Sequence, residues 1–260
     1  AIKYKCKRTK ELKKQYDKGA ADFHQIVADM ANISRMQAKT INLGLFYGMG
    51  KNKLQNELGL KPEQANKLFE DYHKKVPFVK DISEKFMKFS TKEKLIYTLE
   101  DRFCRFDRYE TTAKKWNRTK KVWEEWDGEA GKHVPVKLLT KYEAEAEAAK
   151  KFNETQNKKW EELTKNQQEE EFVEYFVPAF TYKTLNRMVQ GSAADMTKKA
   201  MVLLFKEGII PHIQIHDELC FSIETEEQAK KIKHIMENAI KLEVPNKVDY
   251  ESGINWGTIK

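Results

Sequence analysis

The chain has 260 residues, 40% apolar and 34% charged, enough for one large domain or two small ones with a genuine core. No apolar run approaches the roughly 18 residues of a spanning helix, which excludes a membrane protein, and 14 Phe, 10 Tyr and 5 Trp exclude a chain disordered throughout. The formal net charge of +8 is local, because residues 1–110 hold 24 Lys/Arg against 15 Asp/Glu and the rest is near balance, a pattern that favours an anionic partner such as nucleic acid or nucleotide phosphates.

Ala1 is followed by no charged-then-apolar leader, so the start is expected to be a cut or processed end. The first segment reads as helical: Ala20 to Gly50 carries apolar residues at helical spacing without proline. A second helix is expected from Pro62 through Tyr72, stopping before Pro77, and a third over Phe78 to Phe89. Ile96 to Leu99 is a short strand candidate leading into the basic-aromatic stretch Asp101 to Phe106. From about Thr111 to Tyr175 the chain turns Lys/Glu-rich, with breaks near Gly128 and Gly131, and Lys141 to Glu171 reads as one polar helix or a helical hairpin. This charged segment is either a solvated helical insertion or, through Trp116, Trp123 and Trp126, a docking face for DNA or protein. Ser192 with Asp195 matches a capping box opening a helix that stops at Gly208. His212–His216 and Leu219–Ile223 each alternate with period two around Asp217-Glu218, which predicts a β-hairpin; a helix over Glu226 to Lys241 and a strand near Val248–Ser252 follow. Cys6, Cys104 and Cys220 lack metal or disulfide spacing, so a reducing, cytoplasmic setting is expected. The fold class expected is α+β.

Two groups of residues invite chemistry. Arg35, Lys39, Leu43 and Tyr47 recur every four residues and form one stripe on a helix, with cations about 6 Å apart that suit successive phosphates. An ordinary helix with a solvated basic edge has the same spacing. Asp217 and Glu218 suit a metal ion in phosphoryl transfer, and equally a hairpin turn that favours carboxylates. His216 suits either a site or a satisfied strand histidine.

Taken together these pieces resemble one family. Arg35-x3-Lys39-x7-Tyr47-Gly48 is similar to the R-x3-K-x7-Y-G motif of family A DNA polymerases, and His216-Asp217-Glu218 to the family's HDE motif. Val189 to Asp195 resembles the block between them, and Asp22-Phe23-His24 the D-x-H ahead of the fingers helix. Thr98-Leu99 with Arg102 and Arg105 resembles T-L-x-G-R-x-R, with Asp101 in place of the glycine. The short gap between His24 and Lys39 is more like the bacteriophage members.

The resemblance implies helical fingers over residues 20–110, reached by a palm-to-fingers connection at 1–19, a charged helical insertion at 111–176, and the carboxyl-terminal palm, a β-hairpin packed with helices, at 177–260. It implies that His24, Arg35, Lys39, Leu43 and Tyr47 bind a dNTP, and that Gly48, Asn186, Gln190, His216, Arg102 and Arg105 face primer–template DNA. Asp217, Glu218 and Lys39 are the implied catalytic residues, with Asp217 a ligand of a two-ion Mg²⁺ site. Leu43 stands where the family carries Phe or Tyr against the incoming sugar. The insertion has no recognised counterpart. The family's other metal-binding aspartate, in a D-Y-S-Q-type motif, does not occur in the sequence. Two carboxylates of one hairpin cannot hold both ions. The expectation is therefore the fingers-plus-palm part of a DNA-directed DNA polymerase, inactive until an amino-terminal part supplies the missing aspartate, the thumb and any exonuclease domain. The alternatives are a non-catalytic nucleic-acid-binding accessory protein and, less in keeping with the Arg35–Tyr47 stripe, a metal-dependent nuclease.

Overall fold

Helical periodicity between positions 20 and 50 becomes two helices, α1 (Phe23–Ala31) and α2 (Arg35–Phe46), in a computed structural model of the chain. That structure describes residues 6, 9–10, 13–14, 23–31, 33–117, 119–128, 130–156 and 159–258. Asp22 and nearly all of the 1–19 connection lie outside the described residues. The break in the expected single run has a local cause. Ser34 is extended, its hydroxyl accepts from the Gln37 amide at 3.2 Å, and the Gln37 side chain accepts from the Ser34 amide at 3.1 Å. This reciprocal cap satisfies donors that the first turn of α2 leaves open.

By contacts the chain divides into two compact units, residues 1–85 with 97–102 and 185–260, and residues 86–96 with 103–184. They cut the chain elsewhere than the functional segments expected from sequence.

In the first unit, α3 (Lys51–Leu58), which the sequence reading did not foresee, is followed by α4 (Pro62–Lys75), and α5 (Pro77–Glu93) begins there. Pro62 and Pro77 each open their helix, where the missing amide hydrogen costs nothing. Val27, Ala38, Ile41, Leu45, Leu54, Leu68, Tyr72 and Val79 form the core of these helices. Burying a side chain such as Leu45 is worth about 1.5–3 kcal/mol.

The carboxyl-terminal part of the same unit is built on α8 (Thr184–Lys206; α6, Lys141–Thr155, and α7, Lys165–Tyr175, belong to the second unit), the hairpin β8 (Ile213–Ile215) and β9 (Glu218–Cys220), and α9 (Glu226–Glu237). Helix α8 starts two turns before Ser192, which corrects the expected capping box: the Ser192 hydroxyl donates back to the Met188 carbonyl at 2.7 Å instead. Gly208, at φ 71°, ends the helix as expected. The strand expected near Val248–Ser252 is absent among the described residues; there the Val248 amide donates to Glu237 at 3.0 Å.

The second unit corrects the expectation of a helical insertion at 111–176 in the first half of that segment, and keeps the helical hairpin expected over Lys141 to Glu171. Strands β4 (Lys115–Asn117), β5 (Val122–Asp127) and β6 (Lys132–Pro135) form an antiparallel sheet, and only then do α6 (Lys141–Thr155) and α7 (Lys165–Tyr175) make the helical hairpin. Cross-strand pairs override the Lys/Glu-rich composition: Trp116 faces Trp123 and Trp126 faces His133, with ring centroids 5.4 and 5.2 Å apart. Because side chains alternate along β5, Trp123 and Trp126 lie on opposite faces, so the three tryptophans do not make one docking face. Strand β3 (Tyr109–Thr111) pairs with β7 (Phe176–Pro178) over a core of Tyr109, Leu139, Ala144, Ala148 and Phe176. The hairpin of β1 (Leu95–Tyr97) and β2 (Phe103–Arg105) completes the strands. No helix among the described residues is long and apolar enough to cross a membrane.

Candidate functional site

Helix α2 buries Ala38, Ile41, Asn42 and Leu45 on one side and exposes Arg35, Lys39 and Leu43 on the other. The four-residue stripe therefore exists as expected, with Tyr47 at its end as the helix C-cap and half-buried. Gly48 takes φ 87°, a conformation that disfavours any side chain, and its amide returns to the Leu45 carbonyl at 3.2 Å. The glycine at this end is thus dictated by backbone geometry alone, whereas Tyr47, at φ −92°, is not.

His24 on α1 meets the stripe's helix from behind. Its Nδ1 lies 3.0 Å from the Asn42 amide nitrogen, and Asn42 Oδ1 accepts from the Tyr72 hydroxyl of α4, also at 3.0 Å. Burial pushes the Tyr72 hydroxyl well above its ordinary pKa, so it stays protonated. Sequence reasoning missed Asn42 and Tyr72; the available signal is a polar residue at a position where the α2 pattern demands an apolar one.

Gln190, on α8, donates to the Tyr47 hydroxyl at 2.8 Å, which brings a residue expected on the DNA side to one expected on the nucleotide side. Asn186 sits one turn earlier on the same helix. The turn at 97–102 braces this part of α8. The Leu99 amide donates to the Ser192 hydroxyl at 3.1 Å, and a Cβ on Gly191 would meet Thr98 Cγ2 at 2.8 Å, so only glycine allows the approach. Arg102 is held by α8, donating through Nε to Asp195 at 2.8 Å and through Nη2 to the Gly191 carbonyl at 3.0 Å. Asp101 sits at φ 57°, which explains why a glycine suits that position and how aspartate replaces it, since Asp tolerates the left-handed region. Arg105 belongs to the other unit, with its guanidinium 5.0 Å from the Phe103 ring centre.

The His216-Asp217 turn joins β8 to β9, with Ile215 paired to Glu218. His216 adopts φ 53°, uncommon for a residue other than Gly or Asn and often seen at functional turns. His216, Asp217 and Glu218 are all exposed, as are Ile213 and Ile215 on β8. Two adjacent carboxylates can contribute ligands to a hard cation, yet among the described residues no cluster of three or more His, Cys, Asp or Glu could hold a metal ion. The donor set for a two-ion centre is incomplete in these residues.

The chain matches the sequence model described as "DNA polymerase family A" over residues 6–124 and 134–258. The match runs through most of 111–176, so a segment without counterpart shrinks to residues 125–133, which carry the hairpin of β5 and β6. A DNA-directed DNA polymerase of Pseudomonas phage M6 is 29% identical over 91% of this chain and 31% of its own length. The thermostable DNA polymerase I of Thermus filiformis is 28% identical over 85% of this chain and 20% of its own length. The chain thus spans a third or less of these relatives. Among solved structures, the polymerase domain of Pol1 from M. smegmatis, in complex with DNA primer-template and dNTP, shares the fold at a TM-score of 0.56 and 18% identity, covering 91% of this chain and 34% of that one.

Proposed function

The chain belongs to DNA polymerase family A, and from that membership we propose that it forms the fingers (20–110) and carboxyl-terminal palm (177–260) of a bacteriophage-type, DNA-templated DNA polymerase. Residues 1–19 would connect palm to fingers, and 111–176 would be a charged segment between fingers and palm whose part outside the family match is 125–133. The reaction is attack of a primer 3′-hydroxyl on the α-phosphate of a dNTP, with pyrophosphate leaving, and the protein contributes positioning and charge stabilisation. In this reading Arg35, Lys39 and His24 hold the triphosphate. Arg35 offers a planar fork and Lys39 a point charge. Leu43 lies against the sugar, and Tyr47 and Gly48 shape the side of the template base. Asn186 and Gln190 contact the duplex, and His216 and Arg105 lie toward the DNA; Arg102 does so through its hold on α8.

One observation carries the reading: the Arg35–Lys39–Leu43–Tyr47 stripe is exposed along α2 and ends on a hydroxyl held by Gln190. Asp217 would serve as one ligand of Mg²⁺ and Glu218 as an auxiliary carboxylate, with a further carboxylate coming from the amino-terminal polymerase part. Support for that partner is the hairpin of β8 and β9, too small to be stable alone and with Ile213 and Ile215 exposed, together with exposed Val202, Phe205 and Ile210 earlier in the chain.

Primer extension with Mg²⁺ tests the reading. The purified 260-residue chain should not extend a primer, and adding an amino-terminal part that carries the thumb and the D-Y-S-Q-type motif should restore synthesis. In the restored enzyme Lys39→Ala should cost about 2–4 kcal/mol of transition-state stabilisation with duplex affinity nearly unchanged. Robust extension by the chain alone would overturn the proposed dependence. The incomplete donor set also suits a non-catalytic DNA-binding accessory protein, which would be indifferent to Asp217→Asn.

A further inference from the structure

Three helices meet at one amide. His24 comes from α1, Asn42 from the buried side of α2 and Tyr72 from α4, and the two hydrogen bonds that join them run through the Asn42 side chain. A carboxamide can pass hydrogen bonds along such a row in two senses. In one, the Tyr72 hydroxyl donates to Asn42 Oδ1 and Asn42 Nδ2 donates to His24 Nδ1. In the other, His24 Nδ1 carries a proton and donates to the amide oxygen, and the amide nitrogen donates to the tyrosine oxygen.

Burial chooses between them. Tyr72 is 2% exposed, so its hydroxyl proton has no water to turn to. The second sense strands that proton in the core, whereas the first satisfies it. The raised Tyr72 pKa acts the same way, keeping the hydroxyl a donor throughout the working range. Asn42 is itself buried and needs both partners.

We infer that Asn42, backed by Tyr72, is a positioning residue: it binds His24 at Nδ1, fixes the proton on Nε2 and so sets the ring to present an N–H donor to the phosphates of an incoming nucleotide. The inference rests on the reading of His24 as a triphosphate contact. Its physical content is that a histidine donor oriented by a buried amide loses no tautomer or rotamer freedom when the phosphate arrives.

Two measurements test it. In the full chain labelled with ¹⁵N-histidine, long-range proton–nitrogen spectra should show His24 as a single tautomer, protonated on Nε2. Asn42→Leu should convert it to an exchanging mixture, and Tyr72→Phe should do so partly. In the reconstituted polymerase, Asn42→Leu should raise KM for dATP by about tenfold with little change in kcat, the scale of one misdirected hydrogen bond. In a His24→Ala background the same substitution should add less than about twofold, because its effect passes through the ring. Equal losses in the two backgrounds, or a wild-type His24 protonated on Nδ1, would overturn the inference. If His24→Ala itself leaves KM unchanged, the triphosphate reading falls and takes the nucleotide half of the inference with it; the spectra then decide the tautomer alone.

Discussion

Leu43 lies on the exposed side of α2, one turn after Lys39 and one turn before Tyr47, and is 44% exposed. In the proposed polymerase it faces the incoming sugar with apolar bulk and neither a flat ring nor a hydroxyl. A tyrosine there would supply a hydroxyl in place of the contact that a dideoxynucleotide lacks. The reconstituted enzyme should therefore discriminate against dideoxynucleotides, and Leu43→Tyr should relax that discrimination at least tenfold, about 1.4 kcal/mol. Single-nucleotide incorporation with matched deoxy and dideoxy substrates reads the ratio; an unchanged ratio means that residue 43 does not face the sugar. Other residues at this scale differ in how far the sequence exposes them. Gly48 is legible as the glycine of the R-x3-K-x7-Y-G pattern, and its positive φ at the helix end, seen only in the structure, supplies the physical reason. Asn42 is visible only as an anomaly in an apolar stripe, and its partners His24 and Tyr72 come from other helices, which no spacing rule connects.

At the scale of elements, the approach of the 97–102 turn to α8 decides where Gln190 sits. Gly191 allows it, since a methyl there would lie 2.8 Å from Thr98 Cγ2, a stiff β-branched side chain. Gly191→Ala should destabilise the protein by about 1–3 kcal/mol. Adding Thr98→Ser, which deletes the clashing methyl and keeps the hydroxyl, should restore most of it. Thermal denaturation of the two single variants and the double variant measures the coupling, and simple additivity would show that the contact has slack. Helices with strong local signals are readable in advance: Pro62 and Pro77 open α4 and α5, and Gly208 closes α8. Strands β4 to β6 are not, because Lys/Glu-rich segments read as helix and the pairings Trp116–Trp123 and Trp126–His133 exist only once the strands are side by side. Ser192 misleads for a similar reason, since a hydroxyl that matches a cap is used inside α8 to receive the Leu99 amide.

At the scale of the whole molecule, stability should depend on pH through His73. Burial lowers its pKa below 6.5, with the nearby Lys80 charge adding to the effect, and its Nδ1 is buried with no hydrogen-bond partner among the described residues. The ring packs edge-on against Phe69 and Tyr72, at 4.5 and 5.3 Å between centroids. Because the folded pKa is depressed, the unfolded chain binds a proton that the native state refuses. Stability from this group is intact above about pH 6.5 and declines as pH falls, by at most about 1.4 kcal/mol per unit, until the folded value is reached. Denaturant unfolding at pH 5 and pH 7.5 should show this decline, and His73→Phe should flatten it. A decline equally steep in the variant would assign it to other groups.

What the sequence by itself determined is the content that short range can carry: the Arg35–Tyr47 stripe, the glycine that ends it, the hairpin around His216-Asp217-Glu218, and through their order the family. What only the tertiary structure decided is where distant segments meet. Gln190 reaches Tyr47 across 143 residues, Arg102 turns its guanidinium to Asp195, and His24 meets the side-chain amide of Asn42 on a different helix. Periodicity and capping act within a few residues and leave a trace in the order of amino acids. A hydrogen bond between helices depends on packing that many residues share, so no single stretch of the chain records it.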